Sequence, residues 1–173
     1  MTEQAKQVMY PNSVRKVVSV QAPQVVAWKV FTEQMGSWWP LSMYKIGKAN
    51  AVDAIIEPRV GGRWYERTVS GAECDWGTVL GWDPPNGVRL SWHVGPGHDS
   101  PDWVADMDME KASEVEVRFT ALDAGTTIVE LIHSHLERHG EGWEQLRAVF
   151  DGPGAWITIL ESFAGVVDAK EGQ

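Results

Sequence analysis

The densest group of titratable side chains in this sequence is the run from His133 to His139, which contains three histidines. On an extended strand, His133 and His135 lie on the same face as Val129 and Leu131. Two imidazoles one residue apart, with a third nearby, resemble transition-metal ligands, but a fourth ligand is not evident. We therefore favour hydrogen-bonded or solvated histidines over a metal site, and we predict that an inward-facing His133 contacts a ligand.

Glu66 is the second candidate for chemistry. Alternation along its strand places Trp64, Glu66 and Thr68 on one face. If the indole points inward, Glu66 is a carboxylate buried among aromatic rings, and burial raises a carboxyl pKa unless the group is paired. Such a shift is how a general acid or base is tuned. A structural ion pair with an arginine on an adjacent strand is the alternative interpretation, and both remain open.

Ten tryptophans are the outlier of the composition. Each can bury roughly 150–250 Å² and has an indole N–H that needs an acceptor. For any single tryptophan a place in the core is the simpler interpretation. Trp64, Trp76 and Trp92, however, follow the alternation of neighbouring strands. We predict that these three line a cavity for an apolar or aromatic ligand, which Glu66 and His133 help to orient.

These side chains need a scaffold, and the sequence predicts one made of strands joined by Gly and Pro turns. A first strand over 14–20 precedes two short helical pieces that end before Pro40. Further strands are predicted over 52–57, 63–69, 73–82, 88–94, 113–121 and 126–135. The long segment 95–111, rich in Gly, Pro and Asp, is predicted to lack regular structure. Trp156 to Val167 repeats apolar residues at three and four positions, which predicts an amphipathic helix.

The order of these elements predicts an α+β fold. Consecutive hairpins make the sheet antiparallel, and a helix that is apolar along one side must cover one of its faces. We expect one domain over 1–173, with a curved antiparallel sheet of about seven strands wrapped around a long C-terminal helix. The length of 173 residues is sufficient for a substantial core.

The chain resembles the helix-grip (START-like, SRPBCC) superfamily, and more narrowly the bacterial proteins related to the C-terminal domain of the activator of heat-shock-protein-90 ATPase. The segments that carry the resemblance are Ala22-Pro23, Trp28 with Phe31, Trp38-Trp39-Pro40, Glu57 to Trp64, Trp76-Gly77, Trp82 to Pro85, Ser113 to Phe119 and Gly125 to Thr127. It covers about residues 14–168. The resemblance implies a cavity between the sheet and the C-terminal helix. It says little about function, because this superfamily includes ligand carriers, polyketide cyclases, sensors and co-chaperones.

Composition excludes several classes of partner. A formal net charge of −9 and a pI near 5.0 oppose binding to nucleic acid, and no apolar run is long enough to span a membrane. The single cysteine, Cys74, and the lack of an apolar leader favour the cytoplasm. No phosphate loop, nucleophile elbow or zinc-protease pattern is present, so we expect no cofactor.

Three functions follow as hypotheses. The first is a protein that binds a small hydrophobic or aromatic molecule. The second is an enzyme of the cyclase or dehydratase type that uses Glu66 and His133 as an acid–base pair. The third is a co-chaperone-like protein that contacts a chaperone through its surface. A homodimer is also compatible with a small domain this rich in aromatic residues, although no interface is legible in the sequence.

Overall fold

A curved antiparallel sheet forms the body of the computed structural model, which describes residues 12–47, 50–97 and 102–171. Numbered along the chain, the strands are β1 Val14–Val20, β2 Ala51–Ile56, β3 Arg63–Thr68, β4 Glu73–Asp83, β5 Gly87–Trp92, β6 Val94–Pro96, β7 Trp103–Ala105, β8 Ser113–Asp123 and β9 Thr126–Ser134. Seven of them pair in the order β1-β9-β8-β5-β4-β3-β2, each antiparallel to its neighbour. The predicted sheet is confirmed.

The helices cover the concave side of this sheet. They are α1 Gln24–Glu33, α2 Met35–Trp38, α3 Trp143–Asp151 and α4 Trp156–Glu171, with short 3₁₀ turns at Met109–Lys111 and Leu136–His139. Helix α4 packs on β1, α1 and α2, and its side chains Leu160, Phe163 and Val167 are completely buried. The Phe163 ring lies 5.3 Å from that of Phe31 and 5.2 Å from that of Trp38. The predicted helix-grip arrangement is therefore present. Within the ranges given above, no helix is both long and apolar enough to cross a membrane.

The prediction that residues 95–111 lack regular structure is wrong. Strands β6 and β7 pair as a small antiparallel hairpin, with Val94 opposite Ala105 and Pro96 opposite Trp103. A 3₁₀ turn follows before β8. Each strand of the hairpin is only three residues long, which is too short for the alternation that marks a strand in sequence. Part of the predicted loop, 98–101, lies outside the described residues.

The prediction for His135 also needs correction. Strand β9 ends at Ser134, and His135 has a φ of 59°, in the left-handed region. This turn at His135 breaks the alternation. His133 is fully buried, whereas His135 lies at the surface, 3.6 Å from the Glu137 carboxylate. The two histidines therefore do not share a face.

Candidate functional site

A cavity of about 720 Å³ lies between the sheet, the loop that follows α2, the β6–β7 hairpin and the junction of α3 with α4. Its walls are mainly apolar and rich in aromatic rings. Among the described residues, five tryptophans line it, namely Trp39, Trp76, Trp92, Trp103 and Trp156. Each of these comes from a different structural segment, so the cavity exists only when the whole domain is folded.

The lining indoles pack against one another at edge-to-face or tilted angles, as aromatic quadrupoles prefer. Trp39 and Trp76 have ring centroids 4.8 Å apart, and Trp92 and Trp156 lie 5.2 Å apart with planes at 64°. Trp64 sits behind them, 5.4 Å from Trp76 and 5.5 Å from Trp92, and is only 1% exposed. A second layer of aromatic packing thus fixes the positions of the wall.

Four of the five lining tryptophans have their indole N–H bonded to a protein acceptor. The pairs are Trp39 with the Tyr44 carbonyl (2.9 Å), Trp76 with Glu66 Oε1 (2.8 Å), Trp92 with the Val94 carbonyl (2.7 Å) and Trp156 with His133 Nδ1 (3.0 Å). These donors are already satisfied within the protein. The four indoles therefore offer a ligand apolar ring surface rather than hydrogen bonds.

Glu66 is a fully buried carboxylate that holds the loop over the cavity. Its Oε1 accepts hydrogen bonds from the Ile46 backbone N–H (2.6 Å) and the Trp76 indole, and its Oε2 accepts one from the Gly47 N–H (3.1 Å). These partners are neutral N–H groups, not the arginine of an adjacent strand. One side chain of β3 thus joins an indole of the wall to the loop that carries Lys45 and Ile46.

His133 is fully buried and bonded through both ring nitrogens. Because an indole can only donate, the bond from Trp156 assigns the His133 proton to Nε2. That N–H donates to Ser113 Oγ (2.7 Å), and Ser113 Oγ is also hydrogen-bonded to His139 Nε2 (2.7 Å). Burial lowers the pKa of His133 well below its usual value, and the nearby His139 adds to the effect. His133 is therefore neutral at pH 7.

His93 was not singled out by sequence reasoning, yet it fastens the hairpin to the sheet. Its Nδ1 donates to the Asp106 carbonyl (2.7 Å), and its Nε2 accepts from Ser91 Oγ (2.8 Å). The backbone N–H of Asp106 returns a bond to the His93 carbonyl (3.0 Å). The sequence signal that could have pointed to His93 is a histidine near the end of a predicted strand, just before a Gly/Pro-rich segment.

The structure places the predicted site residues in two layers. Trp76 and Trp92 lie on the cavity wall, and Trp64, Glu66 and His133 lie behind it, each in contact with a lining indole. Sequence reasoning did not find the other lining residues, among them Trp39, Lys45, Trp103 and Trp156. Trp39 and Trp156 are buried in the core and also line the cavity, and only the tertiary structure shows the second role.

No group of three or more His, Cys, Asp and Glu side chains suited to holding a metal ion occurs within residues 12–47, 50–97 and 102–171. Cys74 is half-buried, and burial raises the pKa of its thiol, with smaller contributions from Glu66 and Asp75. A thiol with a raised pKa is a poor nucleophile. The site therefore offers a ligand mainly aromatic ring surface and a few polar groups.

A sheet that grips a C-terminal helix beside an apolar cavity places the protein in the helix-grip class. The chain belongs to the family of Activator of Hsp90 ATPase homolog 1-like proteins, whose family model matches residues 21–165. A comparison with curated proteins finds no match.

Solved structures similar to the chain include three with informative descriptions. The anthrahydroquino-gamma-pyrone synthase Txn09, complexed with SUM, is 38% identical over 90% of this chain and 96% of that chain, with a TM-score of 0.61. CalC from Micromonospora echinospora, a self-sacrificing resistance protein, is 28% identical over 91% and 95%, with a TM-score of 0.64. The Aha1 dimer from Colwellia psychrerythraea is 13% identical over 90% and 96%, with a TM-score of 0.56, a likeness of fold alone.

Proposed function

We propose that the protein binds a planar, polycyclic aromatic small molecule in the cavity. The observation that carries the proposal is the wall of five indoles around about 720 Å³. That volume lies within the range of about 300–1,000 Å³ that is usual for small-molecule sites. Rings packed on rings gain stacking energy in addition to apolar burial. A flat fused-ring ligand makes the best use of such a wall.

The relative that is 38% identical supports a ligand of this class, because it is described as a synthase of a fused aromatic compound. In the proposal, Trp76 and Trp92 contact the ligand directly. Trp64, Glu66 and His133 act through them, since each holds a lining indole in place. We therefore propose that these three are positioning residues.

The same relative favours a second candidate function, an enzyme of the cyclase type. Glu66 and His133 are poorly placed to be its acid–base pair, because each is fully buried and already hydrogen-bonded behind the wall. The polar side chains on the described wall are Tyr44, Lys45 and Asp102. Incubation of a candidate aromatic precursor with the protein, followed by mass spectrometry, tests this function, and loss of one water at catalytic protein concentrations would support it.

Quenching of tryptophan fluorescence by a series of anthraquinones and anthracene derivatives tests binding. A matched pair of variants tests its location. Gly154 lines the cavity, Gly165 lies on α4 outside the lining, and a Cβ at either position meets no atom within 4 Å. We expect Gly154→Phe to weaken binding at least tenfold and Gly165→Phe to leave it unchanged. Equal effects of the two variants, or no saturable quenching by any aromatic probe, would refute the proposal.

A further inference from the structure

The described wall of the cavity contains very little charge. Lys45 is its one cationic side chain and Asp102 its one carboxylate, among the residues that the structure describes. The remaining lining side chains are aliphatic or aromatic apart from the phenol of Tyr44. The polar part of a ligand therefore has few protein groups to bind. The burial and existing partners of Lys45 and Asp102 decide which ligand charge the site accepts.

Lys45 is half-buried and only partly satisfied. Its Nζ donates to the Gly47 carbonyl at 2.9 Å, whereas an ammonium has three N–H donors. No carboxylate of the described residues forms an ion pair with it. A partly buried ammonium is screened less by water and salt than an exposed one, so an anionic acceptor beside it gains more.

Asp102 differs from Lys45 on both counts. It is exposed to solvent, and it already has an interaction partner in the folded protein. An exposed carboxylate gives only weak binding to a cationic ligand, because water and salt screen it. Of the two charged side chains on the wall, Lys45 is therefore better able to bind a ligand group of opposite charge, although the chain as a whole is acidic.

The loop holds Lys45 at a fixed place. The next two backbone N–H groups, those of Ile46 and Gly47, are bonded to the buried Glu66 carboxylate. The Lys45 side chain therefore starts from a backbone tied to the sheet, and the Gly47 carbonyl directs its ammonium. A donor positioned in this way loses less entropy on binding than a flexible surface lysine.

We propose that the cavity selects aromatic ligands bearing an acidic oxygen, as phenolate, enolate or carboxylate, and that Lys45 pairs with that oxygen. The inference rests on the proposed function and names the charge of its ligand. The indole wall binds the ring system, and Lys45 determines which edge of the ring system carries the oxygen. Lys45 is thus a specificity-determining residue.

Three anthraquinone probes that share one ring system and differ in one substituent test this: a carboxylate, its neutral carboxamide and a quaternary ammonium derivative. Dissociation constants are measured by fluorescence quenching and calorimetry at low and high salt. We expect the carboxylate to bind about 10- to 100-fold more tightly than the carboxamide, from the strength of charge-assisted hydrogen bonds. Lys45→Met should remove that preference by weakening carboxylate binding far more than carboxamide binding, and Lys45→Arg should keep most of the preference.

Lys29→Met is the matched control, because Lys29 is exposed on α1 and does not line the cavity. It should retain the full preference for the carboxylate. If carboxylate and carboxamide bind equally, or if the ammonium probe binds most tightly, the role of Lys45 is refuted while the proposed function stands. If no probe binds at all, both fail.

Discussion

Replacement of Glu66 tests how the loop over the cavity, which contains Ile46 and Gly47, is held in place. Three N–H donors converge on this carboxylate, two from the loop and one from the Trp76 indole. In Glu66→Ala all three bonds are lost, and the indole N–H remains buried without its acceptor. In Glu66→Gln the shape is kept. If the amide oxygen takes the place of Oε1, the bonds from Ile46 and Trp76 survive, while the amide NH₂ faces the Gly47 N–H.

The two variants should differ in magnitude. A hydrogen bond to a charged group contributes about 1.5–3 kcal/mol, and a buried donor left unsatisfied costs about 1–3 kcal/mol. If the loop moves away from the sheet, its two N–H donors can form hydrogen bonds with water, which recovers part of the lost free energy. We expect Glu66→Ala to lower the free energy of unfolding by roughly 3–5 kcal/mol and Glu66→Gln by about 1–2 kcal/mol. For a chain of this size the midpoint of thermal unfolding falls by about 2–4 °C per kcal/mol.

Urea unfolding followed by circular dichroism measures these free energies, and amide hydrogen exchange at Ile46 and Gly47 reports on the loop itself. Exchange at both amides should accelerate in Glu66→Ala before global unfolding. Glu116→Gln, on an exposed ion pair of β8, is the control and should leave the midpoint unchanged. Equal losses in the alanine and glutamine variants, or unaltered exchange at the two loop amides, would show that Glu66 does not anchor the loop.

Three further predictions concern the scaffold. A Cβ at Gly77 would lie 1.8 Å from a backbone oxygen of β5, against 3.4 Å for the nearest atom at Gly81, so Gly77→Ala should cost about 3 kcal/mol or more and Gly81→Ala much less. His133 has a lowered pKa in the folded state, so the unfolded chain takes up its proton first. Stability should therefore fall as pH drops below about 6.5, by up to about 1.4 kcal/mol per pH unit. His133→Gln should flatten that slope in urea titrations, whereas His135→Gln at the surface should not. Phe163→Ala on α4 should lower the free energy of unfolding by about 3–5 kcal/mol in the same assay, and a loss below 1 kcal/mol would contradict its place in the core.

Much of the scaffold could be predicted from the sequence, because alternation and helical periodicity are local signals. The alternation Trp64, Glu66, Thr68 correctly predicts their burial. The apolar repeat after Trp156 correctly predicts the final helix. Both patterns depend only on which side of an element a residue faces, and the apolar face is buried wherever the element packs.

The rest depended on contacts between segments far apart in the chain. Two of the three partners of Glu66 come from a loop 19 and 20 residues earlier, and no pattern in the strand indicates them. Trp39 directly follows the short helix α2, and Trp156 is the first residue of α4. At such positions a core residue and a residue of the cavity wall look alike in sequence. The alternation through His135 failed because a single left-handed residue ends the strand. Which side chains reach the cavity is decided by where loops and helix ends come to rest.

The bonded indole N–H groups of the wall have a consequence for substrate range. A pocket whose donors await a ligand rejects any molecule that leaves them unpaired, whereas a pocket of satisfied rings discriminates only weakly between similar apolar shapes. Four of the five lining indoles have their N–H bonded within the protein. Replacing a ligand by one with a different ring skeleton therefore leaves none of these N–H groups without an acceptor. Such a wall tolerates variation in the carbon framework of the ligand. Homologues can therefore diverge in ligand preference through changes at the few polar positions of the wall.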